Sequence, residues 1–392
     1  MHNTNTARVI AEVNLSAIVS NWRRLVALSG RAETAAVVKA NAYGHGLAQV
    51  VASLYEAGCR VFFTASIDEA IEARTHAKTA RIAYHDGLAP GDCEAIHAHR
   101  LTPTINDPTQ LTYLANLAKL NANLNKKTRA TNPPKILPEA MLHIDTGMNR
   151  LGVDWRWLAE AKHAESLAGE VGWQLVYSHL ASADMPKSPQ NQQQKQRFEV
   201  ACTHLPSPLA TTPKSLAASG GILLGEAYHY DLTRPGIALY GYPPVAARGF
   251  TPALTLKARV LQIRDLDPAA SPKGAEDIAL SDAVGYNATH PITQKTRLAT
   301  IAAGYADGVK RTLSNRGCVY IHDTPAPIVG RVSMDTLVVD ISACPAKIRE
   351  GIRIGDYVTL FRNADAWASA SNTISYDILT GLGKRVHYIY TS

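Results

Sequence analysis

The feature that most constrains this chain is a change of rhythm near residue 245. Before that point, short apolar runs alternate with longer amphipathic stretches. The runs include Ala35-Ala36-Val37-Val38, Val61-Phe62-Phe63, Met141-Leu142-His143-Ile144 and Leu175-Val176-Tyr177. Helical spacing marks 15–28, 46–57, 67–78, 107–120, 156–168 and 190–204 between them, with Asp107-Pro108 as an N-cap and first-turn proline. Strand-then-helix repetition implies a parallel sheet, and this length suits a (β/α)₈ barrel, with an open doubly wound sheet as the alternative. After Tyr240-Gly241-Tyr242-Pro243-Pro244 the pattern shifts. Segments 254–264, 298–303, 317–322, 336–342 and 352–361 are short, β-branched and bounded by turn residues. The expected fold is therefore α/β, a (β/α)₈ TIM barrel over 1–246 followed by a mostly-β domain over 247–392. Polar segments 121–138 and 267–277 read as exposed loops.

Composition narrows the classes of function. With 392 residues, of which 46% are hydrophobic and 19% charged, the chain can bury two cores and is not disordered. No apolar run is long enough to span a bilayer, and the N-terminus lacks a signal-peptide pattern, so a cytoplasmic protein is expected. The net charge of +7 is dispersed rather than gathered in a stripe, which argues against a nucleic-acid partner. Five cysteines without a CxxC pair give neither a disulfide framework nor a zinc cluster, and no metal is expected.

Lys39 ends an apolar strand, where a barrel carries its active site. Partial desolvation there favours the neutral, nucleophilic amine. The surrounding VVKANAYGHG resembles the cofactor-lysine motif of bacterial alanine racemases. The resemblance continues, in order, through HIDTGMNRLG (143–152), YSHLASAD (177–184), LAASGGILL (216–224), RPGIALYG (234–241), VGYNAT (284–289), GYADG (304–308), VGRVSMD (329–335) and Tyr376 with its GLGKRV tail.

That resemblance implies pyridoxal 5'-phosphate as cofactor, held covalently by Lys39. It gives Arg234 as the partner of the pyridine nitrogen, an always-charged donor that leaves this nitrogen unprotonated. It gives Ser219, the Gly236 and Ile237 amides, Tyr43 and Tyr376 as phosphate ligands, and His179 as a link between Arg234 and Tyr286. Racemisation needs a second acid–base opposite the lysine, and Tyr286 matches it. In the family this tyrosine comes from the neighbouring subunit, which implies a homodimer with shared sites. Arg150, Met334 and Asp335 match residues near the substrate carboxylate. Tyr305, with Tyr376, matches a narrow entrance that favours a methyl side chain, hence alanine. The implied role is D-alanine supply for cell-wall peptidoglycan. Alternatives are a racemase for serine or a broader set of amino acids, and a non-catalytic barrel that binds the cofactor.

The chain departs from the family pattern at His143, where many members carry a carbamylated lysine. The expectation is that an anion, a nearby acid or His143 itself as neutral acceptor holds Arg150. Ala218 stands where some members carry asparagine, which removes one cofactor contact.

Overall fold

The computed structural model describes residues 6–117, 139–160, 171–270 and 283–392. The loop expected at 121–138, the last residues of helices expected over 107–120 and 156–168, and part of 267–277 lie outside them. The chain forms two compact units, Ala17–Thr251 and Met1–Ser16 with Pro252–Ser392. No described helix is long and apolar enough to cross a membrane.

The first unit is a parallel barrel. Ala36–Val37 pairs with Val61–Thr64, which pairs with Arg81–Tyr84 and then Leu101–Ile105. That strand joins Glu139–Asp145, then Gly172–Tyr177, then Lys214–Ser215. Leu232–Thr233 follows through Arg234 N–H to Ala217 O at 2.9 Å and closes on Glu33–Thr34. All these pairings are parallel. Phe62, Phe63, Ile82, Ala83, Met141, Leu142, Leu175 and Val176 are fully buried, because a barrel strand is covered on both faces and so reads as a continuous apolar run. Helices Leu15–Ser29, Leu47–Glu56, Ile67–His76, 108–117 and Pro189–Thr203 lie close to the expected spans. The Asp107 carboxylate accepts from Thr109 N–H at 2.7 Å, the capping bond its position foretold.

The second unit is built on the 13-residue strand Leu254–Leu266. A register shift between Val260 and Gln262 divides it. Its first half pairs with Tyr357–Phe361 and its second half with Thr296–Ile301. The ring closes through Leu337–Asp340, Thr324–Val329 and Cys318–Ile321. Strand Thr324–Val329 escapes sequence reading because Pro325 and Pro327 interrupt it. Its ladder with Leu337–Asp340 is made only at Ile328 and Val329, past both prolines, so their missing N–H groups cost no bond there.

The expected boundary needs correction at both ends. Val9–Asn14 does not enter the barrel. It pairs antiparallel with Leu254–Leu266 and parallel with His387–Thr391. Residues 6–16 therefore belong to the β unit, and the later crossing lies at 251/252 rather than 246/247. The Asn21 side chain explains the shift: it donates to Leu239 O and Thr251 O and accepts from Thr251 N–H, holding residues up to 251 on the barrel helix.

Candidate active site

Lys39 follows the first barrel strand and opens a left-handed turn. Ala40, Asn41, Ala42 and Tyr43 all have φ of 52–53°. Each non-glycine residue there costs roughly 1–2 kcal/mol, so the turn must be held from outside. Ala42 N–H donates to Val38 O at 2.8 Å. The Asn41 side chain accepts from Leu47 N–H at 2.8 Å. Glu69 accepts from Asn41 N–H at 3.2 Å with one oxygen and from Ala65 N–H at 3.0 Å with the other. His45 is buried beneath the turn, and its Nδ1 lies 3.2 and 2.9 Å from the Ala42 and Tyr43 carbonyls. Two carbonyl partners require Nδ1 to carry the proton. Burial pushes the His45 pKa down to about 4, so the ring is neutral at physiological pH. Tyr240 packs on both rings, with centroids 4.5 Å from His45 and 4.9 Å from Tyr43.

The other barrel strands bring polar side chains to the same end. His85 and Asp86 follow Arg81–Tyr84, Asn106 follows Leu101–Ile105, and His143 sits within Glu139–Asp145. Ser178 and His179 follow Gly172–Tyr177, and Arg234 follows Leu232–Thr233. The Tyr177 hydroxyl lies 3.0 Å from His85 Nδ1, and its ring stacks on His143 with centroids 4.6 Å apart. His143 Nδ1 meets Asn106 Oδ1 at 2.8 Å, and Asn106 donates to His85 O at 2.7 Å. The amide oxygen can only accept, so Nδ1 is again the protonated nitrogen and Nε2 keeps its lone pair.

Arg234 is buried beside this group, its guanidinium carbon 4.5 Å from the Tyr177 ring centre. One terminal nitrogen donates to Ser215 Oγ, the other to Ser178 O at 2.6 Å. Each terminal nitrogen commits one of its two N–H groups to a serine, and no hydrogen bond from Nε–H is made among the described residues. No hydrogen bond joins His179 to Arg234 among the described residues, so that part of the expected relay is not made here. Burial pushes the Arg234 pKa down to about 10, which still leaves it charged at neutral pH. Burial and then the charge of Arg234 push His179 down to about 3. Burial lowers the pKa of Lys39, the Arg150 charge lowers it further, and Glu69 and Asp86 oppose the shift. The arginine charges thus add to the effect of burial at Lys39 and His179.

Ser219, Gly236 and Tyr43 converge on one spot. Ser219 Oγ accepts from the Gly236 and Ala238 amides at 2.9 and 3.2 Å. A Cβ on Gly236 would lie 2.4 Å from the Tyr43 hydroxyl, so only glycine lets the backbone sit against that phenol. Ile237, the next residue, is buried. Lys39, Tyr43, Arg150, His179, Ser219, Arg234, Gly236 and Ile237 all belong to this unit.

The remaining expected residues lie on the β unit. Tyr286 is 71% exposed, Met334 53%, Tyr305 46% and Tyr376 37%, all large apolar side chains facing outward. Asp335 differs in that its carboxylate is taken by Arg385 at 2.6 Å. Sequence reading missed Glu69, His45, His85, Asn106 and Arg385. Three of them had a usable signal: His45 lies in the lysine motif itself, and His85 and Asn106 directly follow barrel strands, where function concentrates.

Both parts of the chain match family models: residues 13–244 match the alanine racemase N-terminal domain, and 253–390 the C-terminal domain. The chain is 37% identical to an alanine racemase of Brucella suis over 97% of its own length and 93% of that protein's. It is 38% identical to a catabolic alanine racemase of Agrobacterium fabrum, covering 96% and 91%. The crystal structure of alanine racemase from Bartonella henselae with covalently bound pyridoxal phosphate superposes with a TM-score of 0.83 at 33% identity, covering 98% of this chain and all of that one. These matches span the two units and all the motifs above, and the chain belongs to the alanine racemase family.

Proposed function

We propose that the protein interconverts L- and D-alanine using pyridoxal 5'-phosphate bound at Lys39. The observation that carries this reading is the barrel mouth itself: a lysine with a lowered pKa, beside a glycine-lined cradle and a buried, permanently charged arginine. The donor set fits the cofactor. Ser219, the Gly236 and Ile237 amides, Tyr43 and Tyr376 would hold its phosphate, and Arg234 Nε–H would face its ring nitrogen. When bound, pyridoxal phosphate supplies an electron sink that makes the substrate Cα–H acidic.

The chain's own residues do the rest. Lys39 Nζ moves a proton at one face of Cα, and the lowered pKa keeps part of the amine unprotonated for that task. Tyr286 Oη moves it at the opposite face, supplied by a second copy of the chain. Arg150 receives the substrate carboxylate, a match suited to a guanidinium. His143 presents a neutral Nε2, fixed by Asn106, as the acceptor that steadies Arg150. Tyr305 and Met334 line the approach, whose size favours a methyl side chain. We extend the reading to a homodimer in the cytoplasm that supplies D-alanine for peptidoglycan. The catabolic name of the Agrobacterium relative supports a second role, D-alanine breakdown by the same reaction.

Solvent-deuterium exchange tests the chemistry. Wild type should label both enantiomers, Lys39→Ala should label neither, and Tyr286→Phe should lose exchange mainly from L-alanine. Equal residual labelling of both enantiomers by Tyr286→Phe would refute the two-base assignment.

A further inference from the structure

Three segments of the β unit meet at one arginine. Arg385 donates to both oxygens of Asp307, from Nε and from a terminal nitrogen, each at 2.9 Å. Its other terminal nitrogen reaches the Asp335 carboxylate at 2.6 Å. Asp307 is fully buried and also accepts from Gly304 N–H at 2.9 Å, which closes the short turn bearing Tyr305. Asp335 follows Met334. The two turns are already in backbone contact: Tyr305 N–H donates to Ser333 O at 3.0 Å and Ala306 N–H to Met334 O at 3.1 Å. A Cβ on Gly304 would lie 2.3 Å from Met334 O. The helix Ser375–Thr380, which carries Tyr376, joins the same assembly through Lys310 to Asp377 at 2.9 Å, and the segment after it through Gly383 N–H to Asp307 O at 3.2 Å.

We infer that Arg385 is a positioning residue for substrate selection, and that Asp335 acts through it rather than on the substrate. A planar guanidinium can fork between two carboxylates, fixing the Tyr305 turn and the Met334 loop in one register. A single ammonium cannot hold both with the same geometry. The separation of the Tyr305 phenol from the Met334 backbone is then set by Arg385, although Arg385 itself touches neither. Exposure makes the Arg385–Asp335 bond a small contributor to stability, so its value lies in geometry. The inference rests on the proposed amino-acid racemisation, with Tyr305 and Met334 beside the substrate.

The test uses the cofactor-loaded enzyme as wild type, Asp335→Asn, Arg385→Lys and the double variant, with L-alanine and L-serine as substrates. Each single variant should raise KM for alanine about tenfold with kcat within about twofold, and lower the preference for alanine over serine about threefold or more, a part of the roughly tenfold or greater discrimination that one small group can carry. The double variant should be no worse than the poorer single, because both break one link. Asp335→Glu, whose carboxylate can still reach Arg385, should recover most of the loss. Additive losses in the double variant would place Asp335 on the substrate and overturn the inference, as would unchanged KM and preference in Asp335→Asn. Asp335→Asn keeps the Arg385–Asp307 pair and decides the matter even where Arg385→Lys does not fold. Hydrogen exchange at the Tyr305 and Ala306 amides gives a readout independent of turnover and should quicken in Asp335→Asn. A wild type that racemises neither amino acid, with faster exchange in that variant, would refute the racemase reading and leave the clamp standing. Unchanged exchange would refute the clamp.

Discussion

His45 is fully buried and His179 partly so, and both are neutral, with pKa values pushed down to about 4 and about 3. An unfolded histidine titrates near 6.5. Between those values the unfolded chain takes up protons that the folded chain refuses, so stability is fully present above about pH 6.5 and falls as pH drops toward 4. For His45 alone the loss is about 3 kcal/mol by pH 4. Unfolding free energies measured from pH 7 to 4 should show a steep slope, and His45→Asn should flatten it by about one proton. An identical slope in that variant would mean that the ring does not stay neutral in the fold. None of this was legible from His45 as a letter in the sequence. A histidine's charge state depends on what surrounds it, and here two carbonyls and Tyr240 surround it. Lys39 was legible because its role depends on place along a strand, which the apolar run before it reveals.

At the scale of elements, the left-handed turn after Lys39 is the least readable feature and the one most demanding of support. Ala40, Ala42 and Tyr43 have no intrinsic preference for that region, and only Asn41 tolerates it. The turn is therefore held by Asn41 and His45 from within the lysine motif and by Glu69, which no local pattern connects to it. Two substitutions should have opposite effects. Ala40→Gly removes a Cβ penalty at an exposed position and should stabilise the protein by about 1 kcal/mol. Glu69→Ala frees the Asn41 and Ala65 amides and should destabilise it by about 1–3 kcal/mol. Calorimetric melting of both variants measures the signs. Barrel strands were easier to read than this turn, since burial on two faces writes an unbroken apolar run. Strand Thr324–Val329 was harder, since its prolines break the β-branched pattern and are tolerated only because the ladder to Leu337–Asp340 begins past them.

At the scale of the molecule, the strand Val9–Asn14 and the helix behind it look like the first βα unit of a barrel, and local sequence offers no reason to read them otherwise. The helix does pack in the barrel unit, but the strand's allegiance is decided by partners about 245 and 375 residues away. Removing residues 1–14 should therefore injure the β unit rather than the barrel. A fragment of residues 252–392 should stay largely unfolded, whereas the same fragment with a peptide of residues 6–16 should gain β structure by circular dichroism. A fragment folding equally well without the peptide would show that the strand is dispensable.

During synthesis that arrangement imposes a wait. The first strand leaves the ribosome with nothing to pair with, and Leu254–Leu266 and His387–Thr391 arrive only after the whole barrel sequence has been made. That strand must stay unpaired while the barrel sequence is made, a period in which exposed strand edges invite wrong partners. Its short length and the polar Glu12 and Asn14 within it limit that hazard. His387–Thr391 completes a sheet begun by Val9–Asn14, so a ribosome stalled short of His387 releases a chain whose barrel can close while its β sheet lacks an edge.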